Sequence, residues 1–96
     1  MFIVILTYKV PLEEIEAHLE NHITYLKEQY KAGNFLASGR KVPRSGGVIL
    51  AKTAEKSELE LILQQDPFKQ NNLADYELIE FSPSMTCKEL DFLIEH

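Results

Sequence analysis

These 96 residues contain no tryptophan, one cysteine, and only four glycines and four prolines. A single thiol, Cys87, cannot close an internal disulfide, so packing alone must hold the core. Positive charge is scarce: ten Lys and Arg stand against fifteen Asp and Glu, giving a formal net charge of −5 and a pI of about 5.1. Non-specific nucleic-acid binding needs clustered cations over a broad face, and an anionic membrane surface needs the same, so neither partner is expected. The apolar start, Phe2-Ile3-Val4-Ile5-Leu6, is too short for a signal h-region or a membrane span. A soluble protein of a reducing, cytoplasmic compartment is expected. Nothing resembling a linker or a repeat divides the chain, which predicts one domain over 1–96.

What is present falls into an ordered set of elements. Phe2 to Tyr8 is a β-branched and aromatic run with apolar residues on both faces, as in a buried strand. Pro11, Glu13 and Glu14 mark a helix start, since proline is harmless in the first turn and acids suit the positive end of the dipole. The helix is expected to reach Ala32 with Leu12, Ile15, Leu19, Ile23, Leu26 and Tyr30 as its buried stripe, and Gly33 is placed to end it. Strands are expected at Phe35–Arg40 and Gly47–Lys52, joined as a hairpin through residues 43–47. Ser57 with Glu60 matches a capping box opening a second helix that stops at Gln65 or Asp66, before Pro67. Tyr76–Phe81 reads as the last strand, and a second capping-box match, Thr86 with Glu89, opens a short tail helix.

The order β-α-β-β-α-β predicts an α+β, ferredoxin-like fold: a four-stranded antiparallel sheet with two helices on one face, plus a short C-terminal helix. Helices on one side leave the apolar residues of the first strand's other face uncovered. That predicts a homodimer formed through the open sheet face.

The fold order also predicts which side chains meet. Strand one ends, helix one begins, the hairpin turns and helix two ends at the same pole of the domain. Tyr8, Lys9, His18, His22, Ser38, Arg40, Lys41, Arg44 and Asp66 are gathered there, a local positive potential suited to a small anionic ligand. His22 falls at the edge of the apolar stripe, and a half-buried imidazole needs a hydrogen-bond partner. Asp66 is the candidate, although as the end of a helix it would sit where the dipole disfavours negative charge. Together they would form an acid-base pair, the carboxylate fixing the ring tautomer and the other nitrogen facing a substrate proton. The competing reading is a satisfied core histidine and a helix-stop aspartate. His18 and His22 have the H-x-x-x-H spacing that can hold zinc, but no third ligand follows at a fixed spacing, and no metal is expected. Ser38 lacks the context of a nucleophile; it is expected to offer a hydrogen bond in the pocket. Gly46-Gly47 lacks the spacing of a phosphate loop and reads as a hairpin turn, so no cofactor is expected. Cys87 is expected to pack.

His22, Gly33, the run Phe35-Leu36-Ala37-Ser38-Gly39, Gly46-Gly47 and Asp66-Pro67-Phe68 together resemble the YciI-like (YCII-related) family over residues 1–82. The remainder, 83–96, is an extension. The resemblance implies a ferredoxin-like fold, dimers of the dimeric α+β barrel kind, and a histidine and aspartate active site carried by His22 and Asp66. It also implies kinship with a dehydrochlorinase that acts on a chlorinated hydroxyquinol, and shared architecture with muconolactone isomerase. Two positions depart from the family pattern: Leu19, where many members have arginine, and Arg40, where proline follows the Ser-Gly pair. The expected function is therefore acid-base chemistry by His22 and Asp66 on a small anionic or phenolic ring, with Ser38, Gly39, Arg40 and Arg44 binding it. The alternative is a non-catalytic dimeric module that binds a metabolite or a partner.

Overall fold

The computed structural model describes residues 1–94. Four strands, β1 (Phe2–Tyr8), β2 (Phe35–Arg40), β3 (Gly46–Ala51) and β4 (Ala74–Glu80), form one sheet in the order β2-β3-β1-β4, with every neighbouring pair antiparallel. The ferredoxin-like arrangement is thus present, with β1 and β3 central. Phe2, Val4 and Leu6 on one face of β1 are buried with Phe35, Ile49, Ala51 and Ala74 of the neighbouring strands. Ile15, Tyr25, Leu59, Leu63 and Phe68 from the helical segments close that core.

The first helical crossover is interrupted, which corrects the expectation of one continuous helix reaching Ala32, and the second carries a further short helix beyond the expected stop before Pro67. The first is split into α1 (Leu12–Ala17) and α2 (Leu19–Lys31), with His18 between them at φ −109°, ψ 3°. The buried positions Ile15, His22, Tyr25 and Gln29 nonetheless follow one helical face across the break, to one side of the apolar stripe. The face of α2 that is buried carries His22, Tyr25 and Gln29, while Leu12, Ile23 and Tyr30 of the expected stripe are exposed. Each of the three buried polar tips has a partner: Asp66 for His22, the Ile62 carbonyl for Tyr25 at 2.9 Å, and Asn34 for Gln29 at 2.8 Å. Gly33 follows α2 at φ +81°, the left-handed conformation that glycine adopts without cost.

The second crossover comprises α3 (Lys56–Leu63) and a short α4 (Pro67–Gln70). Ser57 is not the cap of α3: Glu55 holds that position and no side chain caps it. Asp66 is the N-cap of α4 and lies just beyond the end of α3, and Pro67 is the first helical position after it. The dipole mismatch expected at Asp66 is therefore absent, because its carboxylate lies at the positive end of the next helix.

Two features of the hairpin set up the site. The β2–β3 register shifts between Phe35 and Ala37, so Ser38 stands opposite Ile49 and Arg40 opposite Gly47. A one-residue bulge reverses the inward and outward parity of the residues beyond it. Here it brings Ser38 and Arg40 to the helix side of the sheet with Phe35. Gly46 and Gly47 are not the turn but the first residues of β3, paired with Thr7 and Leu6. A Cβ on Gly46 would lie 1.8 Å from the Leu6 carbonyl oxygen. Because the obstacle is backbone of a central strand, Gly46→Ala is expected to part β1 from β3 and cost about 3 kcal/mol. Urea unfolding measures it; a midpoint equal to that of the wild type would contradict the close approach.

The expected tail helix is a 3₁₀ helix over Lys88–Leu93, preceded by Cys87 and not capped by Thr86. Cys87 is exposed rather than packed. On the sheet face away from the helices, Ile3, Leu50 and Ile79 stand in register, with Val48 beside Ile5. Val48 and Ile79 are 39% and 42% exposed. Among the described residues, no helix is long and apolar enough to cross a membrane.

Candidate functional site

Asp66 is fully buried, and its carboxylate accepts three hydrogen bonds. Oδ1 accepts from His22 Nδ1 at 2.7 Å and from the Phe68 backbone N–H at 3.0 Å; Oδ2 accepts from the Tyr76 hydroxyl at 2.5 Å. A carboxylate so used can only accept, which assigns the proton to Nδ1 of His22 and leaves Nε2 as the lone-pair nitrogen. The His22 ring lies flat on Phe68, with centroids 3.9 Å apart and planes 3° from parallel. Phe68 in turn meets the Tyr8 ring edge-on. The imidazole is thus fixed in its plane by Asp66 and in its height by Phe68. Every buried side-chain polar atom among the described residues has a partner. Among these residues Nε2 has no hydrogen-bond partner, so it keeps access to the space beside it.

That space is a cleft of about 310 Å³ between α2 and the β2–β3 end of the sheet. His22, Ser38, Gly39, Arg40 and Arg44 all line it; Asp66 lies behind His22 and does not. The walls are Leu19, Ile23 and Leu26 of α2 with Leu6, Ile49 and Phe68. Leu19, Ile23 and Leu26, which helical spacing assigns to the core, thus line a cleft, with Leu19 and Leu26 also packed against the core.

The cations expected at this pole divide into two pairs. Arg40 and Arg44 line the cleft, whereas Lys9 turns to Asn72 and Asp75, and Lys41 donates to Thr7 Oγ1 at 2.9 Å. Arg44 is bridged to Glu16 at 3.0 Å. The Glu16 contact raises the pKa of its guanidinium still further, so the charge is permanent. Arg40 makes no ion pair among the described residues. The Ser38 hydroxyl accepts from Tyr30 at 2.6 Å, leaving its own proton to donate. His18 sits in the helix break, does not line the cleft, and forms no cluster of three potential metal ligands among the described residues.

Three tyrosines add to the site without a role assigned to them by sequence pattern. Tyr8, expected at this pole, lines the cleft. Tyr25 and Tyr76, which pattern assigns only to a helix and a strand, stand around the Asp66 carboxylate. Burial, with the Asp66 charge second, raises the pKa of both hydroxyls well above the ordinary value of 10, so both remain protonated donors. The available signal for Tyr76 is its parity in β4, which puts it with Ala74 and Leu78 on the helix side.

The YCII-related domain model matches residues 1–82. The chain belongs to the YCII-related domain family. No curated protein matches it in sequence. Among solved structures, this YCII-related domain is similar to 5-chloro-2-hydroxyhydroquinone dehydrochlorinase from Burkholderia phenoliruptrix AC1100, in complex with 2,5-dihydroxybenzoquinone. The TM-score is 0.70 at 15% sequence identity, covering 84% of this chain and 93% of that one. At that identity the likeness is one of fold.

Proposed function

We propose that this YCII-related domain is a small-molecule enzyme in which His22 moves a proton at Nε2, oriented by Asp66, on a small ring carrying an anionic or phenolic oxygen. One observation carries the reading: an imidazole held by a buried carboxylate at 2.7 Å presents its free nitrogen to an apolar cleft that also contains two arginines. In such a cleft Nε2 takes a proton from a ring hydroxyl or ring carbon. The released electron pair moves through the ring to an oxygen held near Arg40, Arg44 and Ser38, and Asp66 stabilises the imidazolium. Returning the proton to a different ring atom gives an isomerisation. Where the adjacent carbon carries a halide, the pair returns from the oxygen to form a ring double bond as the carbon–halogen bond breaks. The halide leaves with its pair, an elimination in which His22 keeps the proton. That the fold is shared with a dehydrochlorinase supports a ring substrate of this class.

The alternative reading keeps the cleft for recognition alone. It is favoured by the structural uses that the same groups have, Asp66 as the cap of α4 and Ser38 as acceptor for Tyr30. A panel of hydroxylated and chlorinated benzenes separates the two: the enzyme reading predicts conversion by the wild type and binding without conversion by His22→Ala. Binding by both proteins with conversion by neither supports the module.

Arg40 stands where the family pattern has proline, and Leu19 where many members have arginine; both line the cleft. Arg40 is therefore proposed to supply the cation that Leu19 lacks. Arg40→Ala should weaken an anionic ring about tenfold, the loss of one charge-assisted hydrogen bond of about 1.5 kcal/mol. Unchanged affinity would count against it.

The open sheet face is proposed to be covered by a second copy of the chain, since Val48 and Ile79, on that face with Ile3 and Leu50, are exposed large hydrophobics. Sedimentation at micromolar concentration should give twice the 11.0 kDa chain mass; a monomer would sink the dimer.

A further inference from the structure

We infer that Tyr76 is a positioning residue for His22, acting through Asp66. The inference rests on the reading of His22 as the acid-base group and extends it to a third element, β4, that does not touch the cleft.

The geometry is a relay of fixed donors and acceptors. Tyr76 donates to Oδ2 at 2.5 Å, and Phe68 N–H and His22 Nδ1 donate to Oδ1 at 3.0 and 2.7 Å. The Phe68 N–H anchors Oδ1 but leaves the carboxylate free to pivot about that atom. Among the described residues only the Tyr76 contact to the second oxygen fixes the pivot, and with it the plane in which Oδ1 meets the imidazole. Tyr76 is itself held: its place in β4 opposite Leu6 is set by the sheet, and Lys69 lies 4.9 Å over its ring. The hydroxyl remains protonated beside the carboxylate, so the direction of donation does not reverse. Asp66 and Tyr76 are both absent from the cleft lining, which makes Tyr76 a group that acts on His22 without reaching a ligand. Without its hydroxyl, Oδ2 would be left buried with no donor, a costly state that rotation of the carboxylate relieves at the expense of the His22 contact.

The experiment is nitrogen-15 spectroscopy of the neutral His22 imidazole in the free protein. Wild type should show a single tautomer with the proton on Nδ1, and Tyr76→Phe a second population with the proton on Nε2. Tyr25→Phe is the control: its hydroxyl is in the same region but bonds the Ile62 carbonyl, so the single tautomer should persist. A single Nδ1–H tautomer in Tyr76→Phe overturns the inference, as does an equal mixture in both variants. Should Tyr76→Phe fail to fold, the wild-type proton spectrum decides. A slowly exchanging Tyr76 hydroxyl proton supports the inference; a freely exchanging one overturns it. These readouts need no substrate. Conversion that survives His22→Ala would overturn the proposed function and leave the tautomer result standing.

Discussion

Asp66→Ala should lower the unfolding free energy by about 3–5 kcal/mol, the range for removing one partner of a buried charged pair. The size reflects the groups left stranded. His22 Nδ1, the Phe68 N–H and the Tyr76 hydroxyl would all point at an empty volume, and each unpaired buried donor costs about 1–3 kcal/mol before any rearrangement. The loss of the α4 cap is included in this, since the Phe68 contact is that cap. A domain of this size is stable by roughly 5–15 kcal/mol, so the variant would be near the limit of folding. Asp66→Asn is the informative companion. Its amide oxygen can still accept from Phe68 and His22 while the tyrosine hydroxyl turns to accept, and a cost of about 1–2 kcal/mol is expected. Urea unfolding with an unchanged denaturant slope checks both. A wild-type midpoint for Asp66→Ala would mean that the three contacts do not hold the structure.

His22→Ala should reduce turnover of a suitable ring by roughly two to four orders of magnitude, the usual contribution of a positioned acid-base group. Affinity should change far less, because the arginines and the apolar walls are intact. The variant also loses the ring stacked on Phe68, a pair worth about 0.5–1.5 kcal/mol, and so will be somewhat less stable. Steady-state kinetics distinguishes the two effects: loss of chemistry lowers kcat with KM nearly unchanged, whereas collapse of the cleft raises KM.

Much of the site is legible in the sequence because it depends on chain order. A βαββαβ arrangement brings the end of the second crossover beside the first half of α2, and that is sufficient to put Asp66 near His22. Strands β1 and β2 have the expected bounds, β3 lies one residue earlier than expected at each end, β4 starts two residues earlier and ends one earlier, and Gly33 marks the end of α2. Three features are not legible, each for a physical reason. The break at His18 carries no proline or glycine to announce it, and the buried face of α2 lies to one side of the apolar stripe, with His22, Tyr25 and Gln29 buried and Ile23 lining the cleft. The bulge after Phe35 shifts the parity of β2, and no local residue type reveals which side Ser38 and Arg40 will take. The second role of Asp66 is hidden by Pro67. A proline after a helical run reads as a stop, but it also suits the first position of a helix, and here both hold at once. Both capping-box matches fail because the pattern is short and the helices begin elsewhere.

The central claim is that His22 exchanges a proton with a bound ring, and hydrogen–deuterium exchange tests it without knowledge of the physiological substrate. A hydroxylated benzene such as 2-hydroxyhydroquinone, incubated in deuterated water and followed by proton spectroscopy, gains deuterium at a ring carbon whenever a base and an acid cycle a proton there. Exchange should be accelerated by the wild-type protein and reduced to the uncatalysed rate by His22→Ala, with the ring still bound. Exchange at the same accelerated rate in His22→Ala would contradict the claim.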